Sequence, residues 1–324
     1  EIGDARGVDA LLYGLFLNIR QQNAFAHCKR ALAKIGAQHA VPRLVVLLNG
    51  QNAQVTGLIE QYANVPNAAQ VPVGYVKSTA ADVLGVFGDA TSIDPLLAAL
   101  NNRQETQNVR HAAADALAYV ALANPSQKPR ILAALTAVLN ETAPSATDPN
   151  GTSLLTASSL ALVGDPSSMA PLLAIVRARP LAEPIRALTR VDLLENAAQL
   201  ARRADVAAIE PLVAQAREQL RSLTPETPGD QRAIDGALAK LGKIANTLSV
   251  ARDCADGDVA CYTGKLTNSV NEVVTKATYM LAWTTQAAQY DQVRTALLAR
   301  IDHPSVDVRR TLMVAIDAVS PAGS

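Results

Sequence analysis

The chain has 324 residues, 49% of them apolar, yet only 3 Phe, 7 Tyr and 1 Trp. Alanine and leucine carry the apolar content, which favours helices over a β-sandwich rich in Val, Ile, Thr and aromatics. With 29 basic against 29 acidic residues, no global field draws the chain to nucleic acid or an anionic membrane. No stretch reaches the ~18 uninterrupted apolar residues of a membrane span.

Taken in order, the chain begins with Glu1 and shows no basic-then-apolar signal segment, which suits a processed mature chain or a trimmed one. Phe25 to Ile35 reads as an apolar helical stretch ending at Gly36, with the isolated Cys28 a small buried hydrophobe. Pro42 then leads into Leu44-Val45-Val46-Leu47-Leu48. The stretch 62–72, with Pro66 and Pro72, is expected to be a loop. Val76 to Asp89 has its apolar residues at helical spacing, and Gly88 precedes Pro95 and Leu96-Leu97-Ala98-Ala99-Leu100. Val109 to Val120 repeats the pattern, and a second loop is expected over Glu141 to Thr152. That loop holds the sequons Asn140-Glu141-Thr142 and Asn150-Gly151-Thr152, most simply chance in a polar stretch.

Ser153 to Gly164, Pro171 with Leu172-Leu173-Ala174-Ile175-Val176, Val191 to Arg203, and Pro211 with Leu212-Val213 continue the alternation. A third loop is expected over Ser222 to Asp230, then a helix over Arg232 to Gly242. Val273 to Trp283 and Val308 to Ile316 close the series.

These segments are copies of one another. Val76-Lys77-Ser78-Thr79-Ala80-Ala81-Asp82-Val83-Leu84, Val109-Arg110-His111-Ala112-Ala113-Ala114-Asp115-Ala116-Leu117 and Val308-Arg309-Arg310-Thr311-Leu312 share Val, a base, two variable positions and then small or aliphatic residues. The copies end near residues 36, 88, 121, 164, 204, 242, 284 and 319, a period of about 40 residues, in the range of HEAT and armadillo arrays. Each Gly-to-Pro spacing of six or seven residues predicts helix stop, short turn and helix start: glycine closes one helix, and proline is tolerated in the first turn of the next.

The phrase Gly-Asp-x-x-x-(Ile/Met)-x-Pro-Leu-Leu, followed by Val-Arg-x-x-Ala-Ala-x-Ala-Leu, resembles HEAT repeats of the regular bacterial type over essentially the whole length. The resemblance implies an all-α fold, a right-handed α-α superhelix of about eight helix pairs forming a single solenoid domain over residues 1–324, with second helices lining the concave wall. It also implies that the base after Val, here Lys77, Arg110 and Arg309, joins a polar ladder between repeats; a ligand contact is the alternative. All three expected loops fall between the first and second helix of a pair, where insertions are often used to grip a partner; plain variable loops are the competing reading.

Asp253 to Tyr262 departs from the pattern. Asp256-Gly257-Asp258 offers calcium-type oxygens, but EF-hand spacing and its terminal Glu are missing. A zinc site lacks further ligands, because His27, His39, His111 and His303 are scattered. A disulfide between Cys254 and Cys261 is the leading reading, with two free thiols as the alternative. It would staple the turn entering the seventh repeat and imply an extracytoplasmic location: periplasm, cell surface or outside the cell.

No cofactor or metal is expected. HEAT-like hydroxylases are marked by repeated His-Glu dipeptides, which this sequence lacks, and no phosphate loop or nucleophile elbow appears. The span Arg177 to Arg221 is not basic enough to handle a DNA duplex. The expectation is a non-enzymatic scaffold for a protein or peptide partner, without nucleic-acid binding or membrane insertion; a structural subunit of an envelope assembly is the alternative, and a lyase-type enzyme a more distant one. Tyr279 and Trp283, on one helix beside Arg294 and Arg300, are nominated as a binding patch because aromatics and arginine concentrate at hot spots; core packing of the two rings is the competing reading.

Overall fold

A computed structural model describes residues 4–16, 22–53, 55, 57, 73–141, 151–178 and 184–320. The fold is all-α and of the repeat-solenoid class. Among the described residues there are sixteen α-helices and no strand. They are α1 (Val8–Gly14), α2 (Gln22–Ile35), α3 (Ala37–Leu48), α4 (Val73–Phe87), α5 (Ile93–Asn101), α6 (Gln107–Ala123), α7 (Lys128–Asn140), α8 (Gly151–Val163), α9 (Met169–Ala178), α10 (Pro184–Leu200), α11 (Val206–Ser222), α12 (Pro228–Asp253), α13 (Val259–Lys265), α14 (Asn271–Thr284), α15 (Tyr290–Leu298) and α16 (Val306–Ala318). In sequence they form eight consecutive pairs, each with a first and a second helix.

The helices divide into two compact units, one holding α1 to α8 and the other α9 to α16. In the first unit the core is built by leucine and alanine: Leu44, Leu47 and Leu48 of α3, Leu96 and Leu100 of α5, and Ala113, Ala114, Leu117 and Val120 of α6 are buried. Each buried leucine contributes roughly 1.5–3 kcal/mol. The second helices α4 and α6 pack together, and a Cβ on Gly85 would stand 2.8 Å from the Ala116 Cα. Small residues therefore set this close approach. Cys28 is a free, half-buried thiol, raised above the ordinary range by burial, whose Sγ would lie 2.8 Å from a Cβ on Gly14.

The Gly-Asp signature has a clear local cause. Gly88 (φ 60°) and Gly164 (φ 72°) close α4 and α8 in the left-handed region. The following carboxylates of Asp89 and Asp165 accept from the backbone N–H of Thr91 (2.8 Å) and Ser167 (3.0 Å), capping a 3₁₀ turn that runs into the next first helix. Pro95 and Pro171 then sit in the first turn of α5 and α9, as the spacing predicts. Pro42 and Pro211 do not: they lie inside α3 and α11, which start at Ala37 and Val206. The residues before them have adequate helix propensity and begin the helix without proline's help.

The second unit is less regular. Helix α12 runs 26 residues from Pro228 to Asp253, straight through Gly242, where the spacing had predicted an end. Leu241, Ile244, Leu248, Val250 and Ala251 are all buried, so continued burial outweighs the roughly 1 kcal/mol cost of a mid-helix glycine. Cys254 caps this helix and is joined to Cys261 of α13 in a disulfide. The Arg203 guanidinium donates to the carbonyls of Arg252 (3.1 Å) and Asp253 (2.9 Å), satisfying the same helix end.

Of the three expected loops, 62–72 lies outside the described residues, as do residues 142–150 of the second. The third is a short connection between α11 and α12, closed by a capping box in which Thr227 and Asp230 satisfy each other's backbone N–H groups. No described helix is long and apolar enough to cross a membrane.

Candidate functional site

The bases of the repeated motif turn inward. On α4, the Lys77 ammonium lies 2.5 Å from Glu105, in the connection between α5 and α6. On α6, Arg110 is buried; its Nε donates to the Leu100 carbonyl at 2.7 Å and its terminal nitrogen to Glu141, the cap of α7, at 2.8 Å. Arg309 donates to the carbonyls of His303 (2.6 Å) and Pro304 (3.0 Å) at the entry to α16. Each base clamps a turn between a first and a second helix. Arg110 links its own pair to the next, because Leu100 and Glu141 end successive first helices.

In the second unit Tyr279 and Trp283 are brought together on α14, stacked with ring centroids 5.3 Å apart and both half-buried. The ring of Trp283 lies flat on Gly164, where a Cβ would come within 2.2 Å of ring atoms. Below it lies a residue that sequence reasoning missed. Lys276 is fully buried, with its Nζ 5.5 Å from the Trp283 ring centroid. It donates to the carbonyls of Gln199 (2.5 Å) and Ala201 (2.7 Å), at the end of α10. Burial, aided by the nearby Arg202 charge, pushes its ammonium well below the ordinary lysine range. Arg202 in turn donates to the Gly164 carbonyl at 3.2 Å. The available signal was position: Lys276 sits among Val273, Val274, Ala277, Met280 and Leu281, all core. Arg294, the nominated neighbour, pairs with Asp291 at 2.7 Å.

Tyr262 is likewise buried, and its phenol is pushed up to about 12 by burial and then by the Asp256 charge. Lys276 and Arg203 thus each tie two helices of this unit together through backbone carbonyls.

The first unit is different where its second helices face outward. Tyr75, Ser78, Asp82 and Val86 follow one another at three- and four-residue steps on α4 and are all at least partly exposed. On α6 the equivalent positions, counted from Val76 and Val109, are Asn108, His111, Asp115 and Tyr119, again all partly or fully exposed. On α8 the same face continues with Ser158 and the half-buried Leu162. Two parallel rows result. One is apolar: Val86 (52% exposed), Tyr119 (37%) and Leu162. The other is acidic: Asp82 and Asp115, followed by Ser158.

Asp115 is oriented by the Ser159 hydroxyl, which donates to it at 2.7 Å, and lies 3.5 Å from the His111 imidazole. Asp82 accepts no hydrogen bond among the described residues. Desolvation raises its carboxyl above the usual range, and the Asp115 charge adds to this, opposed by Lys29 of α2 and by His111. The wall therefore places an apolar strip beside the carboxylates of Asp82 and Asp115.

Comparison with known proteins bears on the same region. Residues 67–147, which carry α4 to α7, match the family model described as HEAT repeats. No curated protein matches the chain. Among solved structures it is similar to human deoxyhypusine hydroxylase in complex with glycerol, at 16% identity over 97% of this chain and 96% of that one, TM-score 0.32. An engineered protein matches at 17% identity over 70% and 96%, TM-score 0.29. A designed armadillo repeat protein in complex with the peptide (KR)4 matches at 15% identity over 97% and 99%, TM-score 0.19. At such TM-scores these likenesses carry no functional argument.

Proposed function

Starting from a chain that belongs among the HEAT-repeat proteins, we propose that it is a non-enzymatic, extracytoplasmic scaffold that binds a protein partner on the second-helix wall of its first unit. One observation carries this reading. The motif's bases are matched within the chain, whereas Val86 and Tyr119 stand exposed in register on neighbouring second helices. An apolar strip of this kind on a repeat surface is where a partner's side chains gain most from leaving water.

The test is a comparison of the parent chain with V86S/Y119S. Both substitutions lie at exposed positions, so the two proteins should give the same far-UV circular dichroism. The parent, immobilised, retains proteins from the source envelope fraction that the variant loses. Retention of the same set by both would overturn the assignment of the wall.

The location rests on the Cys254–Cys261 disulfide, which oxidising compartments preserve. Thiol counting after non-reducing denaturation of freshly isolated protein should find one reactive group, Cys28. Three would refute the extracytoplasmic reading.

A further inference from the structure

The eighth helix pair shows on one face what the inner pairs hide. Counted from the first Val of the motif, the fifth and ninth positions are Ala81 and Gly85 on α4 and Ala114 and Ala118 on α6. All four are small and buried. The ninth meets the next second helix, since a Cβ on Gly85 would stand 2.8 Å from the Ala116 Cα. On α16, counted from Val308, the same positions are Met313 and Asp317, and both are exposed. Val306, Arg310, Met313 and Asp317 follow at steps of four, three and four residues, so they share one helix face. The opposite side is core: Val308, Leu312, Ala315 and Val319 are buried where α16 packs on α14 and α15. Val306 (58%) and Met313 (57%) are the most exposed large apolar side chains among the described residues.

A further repeat stacked in the usual way does not fit this face. Inner second helices approach through glycine and alanine, whereas a thioether and a carboxylate stand in that place on α16. The face does fit its own copy. Each residue advances 1.5 Å along a helix, so Arg310 lies about 4.5 Å before Met313 and Asp317 about 6 Å after it. Two α16 helices running antiparallel across Met313 therefore bring each Arg310 to Asp317 of the other copy. A parallel pairing sets base on base and acid on acid. Both charges are available for this contact. Arg310 reaches only Asp307, at 3.9 Å with both side chains largely exposed, and Asp317 has no ion-pair partner among the described residues.

We propose that α16 is the contact between two copies of this chain in a two-fold, antiparallel dimer. Met313 packs on Met313 of the other copy at the axis, with an Arg310–Asp317 pair on either side. Closed two-fold pairing is the commonest arrangement of soluble homo-oligomers. One helix face is a small contact, so the dimer dissociates on dilution. The surface belongs to the second unit and uses neither Val86 nor Tyr119, so the inference does not depend on the scaffold reading.

Sedimentation equilibrium of the full chain over a wide concentration range is the test. The parent should show a monomer–dimer equilibrium. M313E should raise the dissociation constant at least about tenfold, as loss of a central contact residue does. R310E and D317R should each raise it about two- to tenfold, by setting like charges opposite one another. Mixed together, R310E and D317R should dimerise with each other as well as the parent does, because each supplies the charge that the other lacks. A folding defect would not give that recovery. Far-UV circular dichroism and Trp283 emission should stay unchanged, since all three positions are exposed. V86S/Y119S should dimerise like the parent.

The proposal is overturned if the parent sediments as a monomer up to its solubility limit, if M313E dimerises like the parent, or if mixing R310E with D317R restores nothing. A dimer lost in V86S/Y119S but kept in M313E overturns it equally, by moving the contact to the first unit.

Discussion

The two units solve the same packing problem with different materials. In the first, the second helices approach through glycine and alanine, with Gly85 against Ala116. Bulky side chains such as Val86 and Tyr119 are then left outside. In the second, the large groups go inward: Trp283 covers Gly164, Lys276 threads beneath it to the end of α10, and a disulfide ties α12 to α13. The two copies at Val76 and Val109 thus keep Val86 and Tyr119 partly exposed, while Trp283 and Lys276 of the second unit pack against other backbone segments. The nominated Tyr279–Trp283 pair belongs to the second kind: its rings stack on each other, and Trp283 covers backbone.

Four measurements would break or sharpen this contrast. The largest effect is expected at Gly164, where alanine must adopt φ 72° and its Cβ would overlap the Trp283 ring. The left-handed conformation costs about 1–2 kcal/mol and the overlap about 1–3 kcal/mol more. Trp283 is the sole tryptophan, so its fluorescence reports the second unit directly. G164A should lower stability by roughly 3 kcal/mol in total and move emission to the red; an unchanged spectrum would show that the ring does not pack there.

Next comes reduction of Cys254–Cys261. Opening so short a loop should cost roughly 2–3 kcal/mol, seen in the same fluorescence transition. If the fasteners are confined to the second unit, the transition of the first unit stays in place.

Arg110→Met should cost about 2 kcal/mol, since it leaves the Glu141 carboxylate and the Leu100 carbonyl short of a buried donor. Lys77→Met should cost under about 1 kcal/mol, because its pair with Glu105 is a single partly exposed contact. Equal losses would refute the view that Arg110 is the joint between pairs.

The last effect is a slope with pH. Burial lowers the Lys276 ammonium below its ordinary 10.5 in the folded chain, so the unfolded chain holds that proton more tightly. The penalty is fully present below the folded value and is lifted as pH rises towards 10.5. Stability of the second unit should therefore climb through this window, by at most about 1.4 kcal/mol per pH unit. K276M should flatten the climb; an identical slope in the variant would assign it to other groups.

Much of the architecture was legible before any coordinates. Apolar spacing located the helices, Gly88-Asp89 and Gly164-Asp165 marked stops and caps, and the neighbouring Cys254 and Cys261 suggested their own bond. These are local properties, set by a few residues' backbone preferences and by the 3.6-residue period. What failed was local inference about residues whose fate depends on distant neighbours. Gly242 looks like a helix end, yet α12 continues because Leu241, Ile244 and Leu248 find core beyond it. Pro42 and Pro211 look like helix starts, yet the helices begin before them.

The candidate site was less legible than the fold. Arg110 and Tyr119 lie on one helix, and nothing in their types says that the arginine is buried while the tyrosine faces out. That depends on where Leu100, Glu141 and the neighbouring second helices come to rest. Lys276 is the sharpest case. By composition it is a surface residue; by position it occupies an apolar face, and only the carbonyls of Gln199 and Ala201, some 75 residues away in sequence, make its burial tolerable. The sequence by itself determined that the chain is a series of helix pairs, because helix period and turn chemistry are written residue by residue. Tertiary structure alone decided which charges act as joints and which faces remain open, because burial and pairing belong to residues that meet only after the helices have packed.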